Sequence, residues 1–171
     1  MLVTKSAARL WVLLAREAPV GVIFRRGPSK QVLLIKWDMR RDSFEHGQWL
    51  KARVYERRCD LSPNGKLLIY FAANYKRPLY SWTAISKPPY FSAVALWPKG
   101  DCWNGGGWFV DDRKMRLNHS PSEAELHSDF RLGPVKVAMP NSAAKTTPSG
   151  RSSWSAMAGS EAAWENRSSS A

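Results

Sequence analysis

Cysteine and histidine are scarce in this sequence, with 2 Cys and 3 His among 171 residues. Cys59 and Cys102 stand alone, without CxxC spacing and without a histidine close by in sequence, which excludes the usual zinc-finger and thioredoxin-like patterns. One disulfide between them is conceivable; two reduced thiols in a cytoplasmic protein is the simpler reading. His46, His119 and His127 form no HExxH or HxH pair and read as solvated loop histidines.

Long apolar runs are missing as well. Leu10 to Ala15 is too short for a signal-peptide core and runs directly into Arg16 and Glu17. No stretch approaches the roughly 20 apolar residues that a membrane-crossing helix needs. A GxSxG elbow, a P-loop and a dinucleotide fingerprint are all absent. Asn104-Gly105-Gly106-Gly107 has no Lys-Ser/Thr pair beside it and precedes a strand, so it reads as a bulge or tight turn. Asp101, Asp111 and Asp112 lack the spacing of a calcium loop. These absences lean away from an enzyme, and no catalytic residue, metal ligand or cofactor is assigned.

What is present is aromatic, basic and strand-forming. The chain holds 9 Trp, is 44% hydrophobic and carries a formal charge of +12. Through Lys99 there are 18 basic and 6 acidic residues, and 8 of each follow. The excess therefore sits in the first part of the chain, where an anionic partner would be met.

Residues 1–19 read as a short amphipathic helix or leader, with Leu10, Trp11, Leu13 and Leu14 on one side and Pro19 as its stop. From Val20 the period is that of strands: Val20 to Phe24, a turn through Pro28, then Gln31 to Trp37. Asp38 to Gly47 reads as a polar loop. Gln48 to Arg57 alternates as one strand, placing Trp49, Lys51, Arg53, Tyr55 and Arg57 on a single basic and aromatic face. Ser62-Pro63-Asn64-Gly65 is a sharp turn, with Asp60 as its cap, between two arms of a hairpin. Lys66 to Asn74, Tyr80 to Ser86 and Tyr90 to Trp97 are further strands. Ser120-Pro121-Ser122-Glu123 has the form of a capping box opening a short helix through His127. Val135 to Met139 makes a last short strand, and residues 142–171, rich in Ser and Ala, form a disordered tail. The expectation is a mainly β domain over 20–141, built of antiparallel hairpins in about two small sheets.

Leu61-Ser62-Pro63-Asn64-Gly65-Lys66-Leu67 between strands resembles the turn of WD40-like, TolB-type β-propeller blades. The wider stretch from Gly47-Gln48-Trp49 through Tyr55 to Pro63, then Trp82 to Ser86 and Leu96 to Asp101, resembles a family of bacterial proteins with the same strand grammar. That family brings no activity and no catalytic residues. The resemblance implies propeller-like blades or an open sandwich over roughly 20–141, and a tail that replaces the rest of a longer domain, as truncation or a frameshift would produce. A propeller needs roughly four to eight four-stranded blades, more than this length supplies. Open sheet edges would then invite association between copies.

The function expected from these features is a binding or interaction module. The alternative is a basic domain for single-stranded RNA or DNA, since phosphates need cations and unpaired bases need π-faces, and Arg25, Arg26, Lys51, Arg53, Arg57 and Arg58 are interleaved with Trp49 and Tyr55. A hydrolase with an unrecognised site is third.

Overall fold

The computed structural model describes residues 7–27 and 30–138. Among these residues it is mainly β, with three sheets and no helix longer than a single 3-10 turn. The 142–171 tail lies outside the described residues.

The first sheet is an antiparallel meander of β1 (Arg9–Leu14), β2 (Val20–Arg26), β3 (Val32–Asp38) and β4 (Ser43–Leu50). The helix expected over residues 1–19 is thus corrected to a strand over its described part. The reason is the period: Trp11 and Leu13 turn inward while Leu10, Val12 and Leu14 are exposed, an alternation of two that a helix would not bury. β2 then satisfies the backbone of β1 from Arg9↔Arg26 to Leu14↔Gly21. The polar loop of Asp38 to Gly47 shrinks to a turn at residues 39–42, because Phe44 pairs with Trp37 and their rings stack at 5.7 Å.

The second sheet has five strands, β5 (Arg53–Val54), β6 (Asp60–Leu61), β7 (Leu68–Ala73), β8 (Ser81–Ser86) and β9 (Ala93–Lys99). Both β5 and β6 pair with β7. Every residue of β7 and β8 is buried. Tyr70, Ala72 and Ala84 face one hydrophobic cluster, together with Val22, Phe24 and Leu34 of the first sheet. Ile69 and Ile85 face the other cluster, with Trp97, Phe109, Met115 and Leu117. Continuous apolar strands are what burial on both faces demands.

The third sheet, absent from the sequence expectation, holds β10 (Gly107–Asp111), β11 (Lys114–Leu117) and β12 (Lys136–Ala138). β12 joins β11 in parallel; the other strand pairs are antiparallel. The turn at Ser62 to Gly65 forms as expected: Gly65 takes φ 71°, and its N–H donates to the Ser62 carbonyl at 2.8 Å. Asp60 has a different task. Its carboxylate accepts the Phe109 N–H at 2.7 Å, and Arg16 donates to the Phe109 carbonyl at 2.7 Å. Burial pushes the Asp60 carboxyl above the usual range, opposed by that N–H and by Arg16. The helix expected from Ser120 to His127 is a 3-10 turn at Pro121–Glu123 alone, because the Ser120 hydroxyl donates to the Glu123 carboxylate and caps no backbone.

Candidate binding cleft

The structure does not gather the five predicted residues on one face. β4 ends at Leu50, a bend at Lys51 and Ala52 follows, and the chain leaves the two-residue β5 into a 3-10 turn at Glu56–Arg58. Trp49 therefore stays on the four-stranded sheet, with the Arg25 guanidinium 5.9 Å from its ring centre. Lys51 is exposed in the bend. Arg57 reaches back to the Trp11 ring at 6.0 Å. Arg53 and Tyr55 come together, 4.9 Å from cation to ring centre. A strand whose alternation looks regular has been cut because Arg26 takes the Val54 carbonyl at 2.9 Å and the Glu56 carboxylate at 2.7 Å, which ties this segment across to β2.

Around Tyr55 a different site assembles. The Arg58 guanidinium lies 5.0 Å from the Tyr55 ring centre and 5.4 Å from that of Phe71. It donates to the Cys102 carbonyl at 2.8 Å and also to the Asn104 carbonyl, so it pins the segment after β9 over the sheet end. The Tyr55 and Tyr75 hydroxyls are 2.9 Å apart, and Tyr80 meets Tyr75 edge to face at 5.6 Å. Burial, then the hydrogen bonds with Tyr75 and Cys102, hold the Tyr55 hydroxyl above the ordinary phenol range, so it stays protonated. The result is an open cleft of about 470 Å³ lined by Arg58, Tyr75, Tyr80, Asp101, Cys102 and Trp103. Trp103 is 80% exposed at its lip. Cys59 and Cys102 are both free, and Cys59 is buried with its thiol donating to the Tyr55 carbonyl.

Sequence reasoning named Arg58 among the basic residues but missed Tyr75, Tyr80 and Trp103. The available signal was the Asn74-Tyr75-Lys76-Arg77-Pro78-Leu79-Tyr80 loop, in which aromatic and basic side chains sit where no core can take them.

Behind the cleft lies a buried polar node. The Gly106 N–H donates to Thr83 Oγ1 at 2.8 Å, and Thr83 meets His119 Nε2 at 2.8 Å. His119 Nδ1 is 2.9 Å from the Glu123 carbonyl, which can only accept; Nδ1 therefore carries the proton, and the Thr83 hydroxyl donates to Nε2. Lys99, almost fully buried, pairs with Glu123 at 2.6 Å and Asp101 at 3.2 Å. His119 is thus not the solvated loop residue expected: it is 2% exposed and closes the gap between β8 and the Ser120 turn.

Burial lowers the His119 pKa, and the Lys99 cation adds to the effect. Between that lowered value and the ordinary one near 6.5, the unfolded chain binds more protons than the folded one. Stability is therefore complete above about pH 6.5 and falls as pH drops toward the folded-state value. The Lys99 hydrogen bond depresses the Glu123 pKa, which adds a second fall below about 4.5. Thermal midpoints measured from pH 8 to 3 should show both falls, and His119→Gln should abolish the first.

His127, Asp111 and Asp112 each have a local partner. His127 lies 3.8 Å from Asp129 and edge-on to Phe130, Asp112 accepts the Asn64 N–H, and Asp111 accepts the Arg113 N–H. Among the described residues no three His, Cys, Asp or Glu side chains group as metal ligands, and no helix is long and apolar enough to cross a membrane. Comparison with protein-family models, with curated proteins and with solved structures finds no match.

Proposed function

We propose that the chain is a β-rich binding module and that it holds its partner in the cleft between Tyr75, Tyr80 and Trp103. The observation that carries this is the placement of Trp103. A tryptophan left 80% exposed beside two half-open tyrosines is costly in water and useful only against a flat or apolar ligand group. Arg58 supports the reading because its guanidinium is spent on two backbone carbonyls, which fixes the floor of the cleft before any ligand arrives.

Single-stranded nucleic acid is the second reading. It is supported by the cations around these rings, with Arg53 on Tyr55 and Lys76 and Arg77 exposed in the loop between Tyr75 and Tyr80. In this version the basic and aromatic set moves from the five residues expected on one strand to the cleft and its loop.

Two probes separate the cases: a short oligo(dT) and a neutral oligosaccharide, each titrated against tryptophan fluorescence. Trp103→Ala should leave stability within about 0.5 kcal/mol, as an exposed site does. It should weaken binding of the accepted probe about tenfold or more, since stacking contributes about 1–3 kcal/mol per base. Oligo(dT) retained at low salt and released at high salt selects the nucleic-acid reading. Equal affinity in wild type and Trp103→Ala removes the cleft from the argument.

A further inference from the structure

The four-stranded sheet has two largely apolar faces, and the outer one is buried at its centre, at Leu33 and Ile35, but open along β1 and β4. Its inner face, with Leu13, Val22, Phe24, Val32 and Leu34, belongs to the first hydrophobic cluster. Strand pairing lays out the other face as rows across the sheet. The middle row is Val12, Ile23, Ile35 and His46; Leu10, Arg25, Leu33 and Trp49 flank it on one side, and Leu14, Gly21, Trp37 and Phe44 on the other. None of these residues belongs to either hydrophobic cluster. The protein contains its own standard of comparison. β7 and β8, with similarly unbroken apolar runs, are buried on both faces throughout, as such runs require. In the four-stranded sheet that cover fails at the flanking strands, where Leu10, Val12 and Leu14 of β1 and Phe44 and Trp49 of β4 are exposed.

We infer that this outer face is an interface between two copies of the chain, packed sheet on sheet about a two-fold axis. Area and relief identify the occupant. Leu10, Val12, Leu14, Phe44 and Trp49 are each between 43% and 64% exposed. Together they present on the order of 500 Å² of apolar surface, at the upper end for a patch on a monomer. Two such faces in contact would remove about 1,000 Å², the threshold for a specific interface.

The relief is uneven in a way that suits its own copy. The bulky rings, Trp49, Trp37 and Phe44, stand along β4 and its neighbour, whereas the β1 side is low and aliphatic, dipping at Gly21. A two-fold axis between the faces and parallel to the strands sets β4 of one copy over β1 of the other. Large residues then meet small ones along the whole contact, as close packing of two layers needs. The alternative axis, across the strands, would set ring on ring. Symmetry makes the contact isologous, so the pairing occurs twice.

This face is on a different sheet from the cleft, so the two proposals stand or fall separately. The test is the solution mass of the full chain by sedimentation equilibrium over micromolar concentrations. The expected result is a species of twice the 19.3 kDa chain mass, retained or strengthened at high salt because the buried patch is apolar and the chain is basic. Leu10→Glu and Leu14→Glu change exposed side chains, so the protein should stay folded by circular dichroism while the dimer weakens at least tenfold. A wild-type chain that is monomeric throughout overturns the proposal, as does a dimer indifferent to both substitutions. Loss of folding in both variants with a monomeric wild type also overturns it, since it would show that the chain covers this face itself.

Discussion

Thr83→Val is expected to remove about 2–6 kcal/mol of folding stability, a large share of what a domain of this size possesses. Valine matches the shape of threonine and keeps the strand, so the loss reports the hydroxyl alone. That hydroxyl serves two buried groups, accepting from the Gly106 N–H and donating to His119 Nε2. Its removal strands both, at about 1–3 kcal/mol for each unsatisfied group. Urea unfolding of wild type, Thr83→Val and Thr83→Ser measures the effect. Serine retains the hydroxyl and should recover most of the stability; a valine variant within about 0.5 kcal/mol of wild type would show that water replaces the bond.

Gly106→Ala should be comparably severe, costing about 2–5 kcal/mol. Gly106 has φ 76°, where a side chain costs about 1–2 kcal/mol. A Cβ there would also strike the Arg58 carbonyl oxygen and lie 2.8 Å from Arg58 Cβ. Neither can retreat, because Arg58 is held by the carbonyls of Cys102 and Asn104 and Gly106 by Thr83 and the Asn118 N–H. Overpacking against fixed backbone adds about 1–3 kcal/mol. The substitution should also loosen the cleft floor, read as a change in Trp103 emission before unfolding begins. Combined with Thr83→Val the losses should fall short of additive, since both variants break the same hydrogen bond. Full additivity would mean that Gly106 acts independently of the node.

Strands were legible where burial is on both faces or where a turn is written locally. Val20 to Phe24, Gln31 to Trp37 and the arms of the Ser62 to Gly65 hairpin needed only β-branched and aromatic runs with proline and glycine between them. β1 was misread because Leu10, Trp11, Leu13 and Leu14 fit a helical face as well as a strand over so short a span, and only pairing with β2 decides between them. The third sheet was hidden for a similar reason: β12 has three residues and gains its place by parallel pairing with β11, a partner some twenty residues earlier. The site suffered most. Trp49 to Arg57 alternates regularly, yet the alternation spans a break imposed by Arg26, a residue far away in sequence. Tyr55 was selected for the right surface and the wrong neighbours. The Thr83 and His119 pairing, across 36 residues, left no local trace at all.

The double capture of Phe109 bears on edge-to-edge pairing of strands. β10 pairs with β11 on one side, and on its other side the Phe109 N–H and carbonyl are taken by Asp60 and Arg16. A passing strand seeking to extend this sheet finds its docking groups already occupied at mid-strand. The edge is closed at mid-strand by two side chains. Arg16 does double service here: together with Arg9 it brackets the apolar run of β1, the position where gatekeeper charges discourage fibre growth.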